Sequence, residues 1–549
     1  MHMRMGRDAE PPRPAPWTWL VPPAAHHRRY ADGDAWLGRT VGMLARDWAE
    51  RLPDADIFLG DPAGTTYASL AADAEALAAG LHAIGLRAGD VVAFQMPNWI
   101  EAAIVNVAAA LGGFVVNPIV SIYRDAEVRQ MLADCGARIF FHAEQYRGYD
   151  FAAMVERIRP DLPALDHAIP VRAGSAFADL IAAGRGQAHR LPSVDPRSVK
   201  MVLYTSGTTG RPKGVLHSHD TLARAVLACA RHWRIEAGDA ILMPSPVTHV
   251  SGYSNGLELP FLVGTRTVLM ESWDATAALA LIEQHEVRGT VAATPFLTEL
   301  ATRVAEAGTA LPSLRFFACG GAAVPPEVVQ RANAQFGRTV AFRVFGSSEV
   351  PLVTLGFPHD AARAAQTDGA VIDYDVRVLD DQGVPLPPGA EGEIVARGAA
   401  MFMGYADEAQ TAEAVDADGF FHTGDIGTVA ADGTLCITGR KKDLIIRGGE
   451  NISAKEIEDV LHRHPAVADI AVVAMPHPRL GEGVCAFVVP RGEAPTFAEV
   501  AAFVAQSGLA PQKRPERIEI VDDLPRTASG KVRKDVLRRT IAELVNGQG

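Results

Sequence analysis

Residues 204–215 read Tyr-Thr-Ser-Gly-Thr-Thr-Gly-Arg-Pro-Lys-Gly-Val, directly after an apolar run, Met201–Tyr204, that predicts a strand. The composition suits a loop that holds phosphate. Gly207, Gly210 and Gly214 let the backbone approach an anion, Thr205, Ser206, Thr208 and Thr209 offer hydroxyl and amide donors, and Lys213 adds a positive charge. Any four of these residues could be a plain turn; twelve in this order point to a ligand. The spacing is not the G-x-x-x-x-G-K-[ST] of P-loop nucleotide hydrolases.

Downstream, from Ser198 to about Phe345, short apolar runs alternate with helical patterns. Strands are predicted at Met201–Tyr204, Ala240–Met243, Thr267–Met270, Thr290–Ala293, Leu314–Cys319 and Thr339–Phe345, with helical spacing over Thr276–His285 and Pro326–Phe336. That alternation predicts a mostly parallel sheet covered on both faces, with ligands at the strand C-termini. Upstream, a helix over Tyr67–Ile84, a strand over Asp90–Gln95 and a helix over Trp99–Leu111 predict a second such layer. Past Ile372 the clusters Asp-Asp-Gln-Gly and Pro-Pro-Gly mark hairpins of a β-rich subdomain. From Asp443 a pattern of strand, helix, strand, strand, helix, strand predicts a separate small α+β domain. The expected fold is therefore α/β: a large N-terminal domain of several subdomains with mostly parallel sheets and a β-rich part, followed by a small C-terminal domain.

The 549 residues exceed what one core usually serves, and 48% hydrophobic with 21% charged residues is ordinary for a globular chain. A net charge of −13 gives no broad attraction to nucleic acid, so a bound phosphate must be held by local donors. The five cysteines are scattered, with no C-x-x-C or Cys/His cluster, which predicts buried free thiols in a reducing compartment and hence a cytoplasmic location. Residues 1–35, polar and proline-rich at the start, predict a flexible lead-in where a signal peptide would carry an apolar core. The most apolar stretch, Ala102–Val120, is broken by Asn106, Gly112, Gly113, Asn117 and Pro118, so a buried helix and strand are expected and no membrane span.

The Tyr204–Val215 segment resembles the phosphate-loop signature of the adenylate-forming superfamily, which includes acyl-CoA synthetases, aryl-CoA ligases, luciferases and peptide-synthetase adenylation domains. Phe345-Gly346-Ser347-Ser348-Glu349 is similar to the family's Y-G-x-T-E element. The resemblance implies that Phe345 lies on adenine, Ser348 contacts phosphate and Glu349 holds Mg²⁺; Phe345 loses a phenol and Ser348 a methyl relative to that pattern. Asp425, in Phe421-His-Thr-Gly-Asp-Ile-Gly427, matches the aspartate that binds both ribose hydroxyls. Arg440 matches a second ribose or phosphate contact and Lys442 the hinge, which divides the chain into residues 36–441, binding ATP and the acyl group, and a mobile domain, 442–549. Lys441 between them reads as a surface charge. Gly320-Gly321-Ala322-Ala323 resembles the segment that passes along adenine and the acyl pocket, and Lys531, in Leu524-Pro-Arg-Thr-Ala-Ser-Gly-Lys531, matches the lysine on the acyl carboxylate and α-phosphate. His249 matches a residue at the mouth of the acyl pocket, whereas His217 and His219 read as ordinary loop and helix-start residues. Arg447-Gly448-Gly449 matches a loop that lines the pantetheine tunnel after the C-terminal domain turns.

The resemblance, from about Thr65 to Arg538, implies an AMP-forming acyl-CoA synthetase using ATP, Mg²⁺ and coenzyme A. A carboxylate would attack the ATP α-phosphorus, and the CoA thiol would then displace AMP. Lys531, Glu349, Ser348, Lys213 and His249 are its implied catalytic residues, and positioned charges do the work that no protein nucleophile is needed for. The string Ser245-Pro-Val-Thr-His-Val-Ser-Gly252 is more similar to short- or medium-chain and cyclohexanecarboxylate CoA ligases than to coumarate ligases or luciferases. Two alternatives stand beside this reading: an adenylating enzyme that loads a carrier protein or oxidises its adenylate, and a nucleotide-binding regulator that has lost catalysis. Monomer and homodimer are both open.

Overall fold

The structure, a computed structural model, describes residues 30, 34–60, 64–205, 212–321, 324–527 and 530–546. Most of the lead-in thus lies outside the described residues. One seven-stranded sheet runs Thr65–Thr66, Asp56–Leu59, Arg266–Leu269, Ala240–Met243, Gly289–Ala292, Phe316–Cys319, Val340–Arg343, and it is parallel except at its Thr65 edge. A second seven-stranded sheet runs His167–Val171, Ile139–Ala143, Val91–Gln95, Val115–Pro118, Val199–Thr205, Lys213–Ser218, Gly404–Tyr405. Its central strands are buried along their whole length because helices cover both faces. Glycines let those helices touch backbone to backbone: a Cβ on Gly80 would lie 2.2 Å from the Leu180 carbonyl oxygen, so helix Tyr67–Ala83 sits directly on helix Ala176–Gly184.

The strand that feeds the phosphate loop corrects the expectation drawn from sequence. Val199–Thr205 belongs to the second sheet and not to the sheet of Ala240–Met243. Its next partner, Lys213–Ser218, returns antiparallel, with Lys213 opposite Thr205. The connection 206–212 is too short for a parallel crossover, which takes a dozen residues or more, so the chain can only turn back on itself. Val199–Thr205 and Lys213–Ser218 are consecutive antiparallel strands, and residues 206–211 between them lie outside the described residues.

Strands Tyr374–Leu379, Glu391–Gly398, Phe421–Val429 and Leu435–Arg440 form a four-stranded antiparallel sheet, the β-rich part. The small C-terminal domain has its own five-stranded sheet and its own cores, from Ile445 and Ile452 through Val484 to Ile541. Two of its elements were absent from the sequence reading: the strand Glu450–Ser453, which pairs with Leu444–Arg447, and the closing helix Lys534–Asn546. The stretch Ala102–Val120 divides into helix Ile100–Gly112 and strand Val115–Pro118. Among the described residues no helix is long and apolar enough to cross a membrane. Four of the five free cysteines are buried and Cys436 is half-buried.

Candidate active site

Asp425 and Arg440 stand directly opposite each other on neighbouring antiparallel strands. That register makes them a forked pair: Arg440 Nε donates to Asp425 Oδ1 at 2.5 Å and a terminal nitrogen donates to Oδ2 at 3.2 Å. The Asp425 amide also donates to the Thr423 hydroxyl at 3.0 Å, which fixes the strand at that point. A buried carboxylate held by two bonds is pre-set to accept a pair of hydroxyls.

The second group gathers where strand Val340–Arg343 ends. A Cβ on Gly346 would lie 2.5 Å from the Leu352 amide nitrogen, so only glycine lets this turn fold back so tightly. The Ser347 hydroxyl accepts from the amides of Glu349 and Val350, at 3.2 and 3.3 Å, and no helix follows. Ser348 and Glu349 are thereby presented on a rigid corner. Glu349 is buried, and its Oε1 accepts from the Tyr405 hydroxyl at 2.8 Å. The Lys213 ammonium lies 4.9 Å from the centre of the same tyrosine ring, so Lys213, Tyr405 and Glu349 form one chain of contacts. Phe345 is half-buried above, its amide donating to the Thr354 hydroxyl.

His217 corrects its expected role. It lies within strand Lys213–Ser218, fully buried, with Nε2 donating to the Ser348 carbonyl at 2.7 Å and Nδ1 3.0 Å from the Thr221 hydroxyl. Burial pushes its pKa down to about 4, so it is a neutral donor that pins the Ser348–Glu349 corner. His219 does open the following helix, as expected.

Lys531 reaches this place from the C-terminal domain. Burial, which strips water from the ammonium, pushes its pKa below the usual lysine value; nearby Arg440 pushes the same way, while Asp425 and Glu349 oppose it. Among the described residues it has no ion pair, and its loop is braced by Thr527 and packs with Gly530 facing Ala293 and Pro295. His249 lies close enough to feel the lysine charge: burial first, and then Lys531, hold it down to about 4. Its Nδ1 is 3.0 Å from the Ser251 hydroxyl. Asn98, which the sequence reading passed over, braces this loop by donating to the carbonyls of Met243 and Ser245 and accepting from the Val247 amide. Gly320 must be small because a Cβ would sit 2.7 Å from the Val344 carbonyl, and Gly321, at φ +83°, faces open space.

Glu349, Asp425, Arg440, Lys531 and His249 are thus brought together, with Ser348 and Lys213 beside Glu349. Arg447, Gly448 and Gly449 are not. They form a hairpin tip in which Gly448 and Gly449 are exposed and half-buried Arg447 pairs with Glu516 at 2.7 Å. Ser206, Gly207, Thr208, Thr209, Gly210 and Ala322 lie outside the described residues, while Thr205 ends its strand opposite Lys213. Lys442 sits in a short 3₁₀ turn, Lys441–Asp443, between the β-rich sheet and the C-terminal sheet. Lys441 is exposed and pairs with Glu393 at 3.1 Å. Tyr405 could have been suspected only from Gly404-Tyr405, an aromatic in an otherwise unassigned turn.

No cluster of three acidic, histidine or cysteine side chains occurs among the described residues. A single buried carboxylate with one oxygen already oriented suits Mg²⁺, which takes one or two protein carboxylates and completes its shell with substrate phosphates and water.

Two parallel-sheet layers, a β-rich sheet and a small C-terminal domain that delivers a lysine over a bidentate Asp/Arg pair define an adenylate-forming enzyme. Residues 45–406 match the AMP-binding enzyme family and residues 456–531 match the AMP-binding enzyme C-terminal domain. The medium-chain fatty-acid–CoA ligase of Escherichia coli strain K12 is 35% identical over 529 residues, covering 94% of this chain and 92% of that one. The salicyl-AMP ligase / salicyl-S-ArCP synthetase of Mycobacterium tuberculosis is 32% identical over 557 residues, 97% of each chain. The solved structure of ATP-bound MatB from Rhodopseudomonas palustris superposes with a TM-score of 0.82 at 30% identity, covering 92% of this chain and all of that one. The chain belongs to the AMP-binding enzyme family, as an AMP-forming acid–CoA ligase.

Proposed function

We propose that this enzyme activates a short- or medium-chain aliphatic or alicyclic carboxylic acid as its acyl-adenylate and transfers the acyl group to coenzyme A in the cytoplasm. The observation that carries the reading is the convergence of Lys531 with Asp425, Arg440 and Glu349 from separate parts of the chain. Asp425 accepts the two ribose hydroxyls, and Arg440 holds that carboxylate in place. Phe345 offers a ring face to the adenine, and Gly320 and Gly321 leave room for its edge. Thr205, Lys213 and the loop between them hold the β- and γ-phosphates. Lys531 draws the acyl carboxylate to the α-phosphorus and stabilises the charge that grows on the equatorial oxygens as pyrophosphate leaves. Ser348 donates to the same phosphate. Mg²⁺, held by Glu349 with the phosphates, would neutralise the leaving pyrophosphate. Neutral His249 closes the acyl side of this cleft and shields the adenylate from water. For the second step the C-terminal domain turns about Lys442, withdrawing Lys531 and bringing Arg447–Gly449 to the path of the thiol.

Thioester formation over a panel of aliphatic, alicyclic and aromatic acids tests the proposal, with CoA-dependent AMP release as the readout. Medium-chain or alicyclic acids should give the highest kcat/KM; activity confined to aromatic acids would overturn the substrate class. A second reading has one point in its favour, the relative named for both an AMP ligase and an S-ArCP synthetase. Adenylate that is made but not passed to CoA, and is passed to a carrier-bound thiol, would decide for it.

A further inference from the structure

Behind His249 the chain forms a helix whose middle, Tyr253–Glu258, is a π-helix, closed by the Leu259 amide donating to the Ser254 carbonyl five residues back. π-turns are uncommon and cost packing, so one that persists has partners that hold it. Here they are charged and fully buried. Lys200, on the strand that leads into the phosphate loop, donates to Glu258 Oε1 at 2.5 Å, with both side chains 1% exposed. The same oxygen accepts from Asn106 Nδ2 at 2.8 Å, and Asn106 Oδ1 accepts from the Tyr253 hydroxyl. The Lys200 ammonium is 5.6 Å from the centre of the Tyr253 ring.

One asparagine therefore binds residues 253 and 258 at once. In an α-helix positions five apart point about 140° away from each other, and no single side chain of helix Ile100–Gly112 could serve both. A turn closed over five residues returns them to one side. The network and the π-turn require each other.

The two ends of the helix are fixed to different things. Downstream, the Phe261 carbonyl accepts from Trp48 Nε1 at 2.7 Å and the Pro260 carbonyl from the Tyr67 hydroxyl at 3.1 Å, which bolts that half to the outer helices. Upstream, Gly252 is so close to the Pro246 carbonyl that a Cβ would lie 2.0 Å away, and Gly256 rests on Met243. That half carries His249, whose carbonyl accepts from the Tyr253 amide at 2.8 Å. Relaxing the π-turn to an α-turn would rotate one half against the other by about one residue, roughly 100°, and so change which side chains from Val250 to Ser254 face the acyl cleft.

The geometry points to Lys200, Glu258, Asn106 and Tyr253 as positioning residues for acid selectivity: they set the rotational phase of the helix behind His249 and thereby the shape of the acyl pocket. The inference rests on the reading of His249 as a residue of that pocket. A buried ion pair replaced by apolar side chains of similar volume often leaves stability unchanged, whereas breaking it on one side does not. The test is therefore the double variant Lys200→Met/Glu258→Met, in which Asn106 keeps the Leu257 carbonyl, at 3.5 Å, as an acceptor. The parent enzyme is first run on matched straight-chain and alicyclic acids. A melting temperature near the parent's, a KM for ATP within about twofold, and a change of about tenfold in the ratio of kcat/KM between the two acid classes are expected, the scale of a reshaped apolar pocket. A folded double variant with the parent ratio, or with equal loss on every acid, overturns the inference. Should the double variant not fold, Tyr253→Phe removes one hydroxyl from the same network and should move the ratio in the same direction by about threefold; an unmoved ratio overturns it equally. A parent enzyme that forms no thioester with any acid would instead remove the underlying reading, an outcome visible before any variant is made.

Discussion

At the scale of single residues the cleft is a set of charges that would repel or neutralise one another unless ligand joined them. Lys531 lies beside Arg440 and is opposed by Asp425 and Glu349, with no direct ion pair among the described residues, so its charge is free for the α-phosphate. Lys531→Ala should cost adenylation at least about 3 kcal/mol of transition-state stabilisation, a hundredfold or more in rate. Thioester formation from preformed acyl-adenylate should survive. Equal loss in the two half-reactions, measured by pyrophosphate exchange and by single-turnover transfer, would reject the role. Tyr405→Phe removes the donor to Glu349 but keeps the ring under Lys213. Such a bond contributes about 1 kcal/mol, so the Mg²⁺ concentration for half-maximal exchange should rise by about fivefold while KM for the acid stays put; an unchanged Mg²⁺ curve would show Glu349 held by its backbone alone. His217 supplies a pH test. Its folded pKa, about 4, lies below the ordinary 6.5. As pH falls from about 6.5 toward 4 the unfolded chain binds a proton that the folded one refuses, so stability is full above this window and declines through it. The contribution approaches about 3 kcal/mol at the acid end. His217→Gln keeps a donor for the Ser348 carbonyl and should flatten the fall of melting temperature over that window; an identical slope would show that other groups govern it.

Elements decide which residues the sequence could reveal. The turn after Val340–Arg343 depends on Gly346, where an added Cβ meets backbone on two sides, the Leu352 amide at 2.5 Å and the Val350 carbonyl at 3.0 Å. Gly346→Ala should lower stability by about 1–3 kcal/mol and reduce pyrophosphate exchange with it, because the same corner presents Ser348 and Glu349. A variant with parental melting and parental exchange would show that the turn can open without harm. That corner was legible as a motif because its residues are adjacent in sequence, and so were Asp425, Arg440 and Lys531. What the sequence could not carry was partnership across distance. Tyr405 lies 56 positions along the chain from Glu349, and nothing in Gly404-Tyr405 announces the contact. Lys200 stood just before the predicted strand Met201–Tyr204 and drew no attention, because its partner Glu258 lies 58 positions away. The strand expected at Met201–Tyr204 lies within the observed Val199–Thr205, yet its sheet was misassigned, since an apolar run states that it is buried and not which neighbours bury it.

Across the whole molecule the candidate site residues are divided between a large body and a small domain with separate cores, joined by the turn Lys441–Asp443. In the orientation seen here the C-terminal domain is latched by local bonds. Ser453 donates to the Thr438 carbonyl at 2.6 Å across the boundary, and the turn itself is held from both sides, Lys441 by Glu393 of the large body and the Asp443 side chain and Lys442 carbonyl, at 3.0 and 3.4 Å, by Arg538 of the closing helix. Lys531 lies among Arg440, Asp425 and Glu349 while Gly448 and Gly449 stand exposed, the arrangement that the proposed function needs for adenylation and not for thiol attack. A 3₁₀ turn has φ near the value that proline fixes, about −65°, so proline at position 442 keeps that residue's own φ in the orientation seen here. Any orientation that needs a different φ at that residue is closed to it. Lys442→Pro should therefore retain pyrophosphate exchange near the parental rate and lose CoA-dependent AMP release by at least about tenfold, the pattern of a blocked conformational step rather than of a damaged site. Proline also restrains Lys441 before it, and a loop merely damaged there would lower the melting temperature and both half-reactions together. Selective loss of the second step at an unchanged melting temperature identifies Lys442 as the hinge, whereas full thioester synthesis by Lys442→Pro would place the pivot elsewhere in the chain.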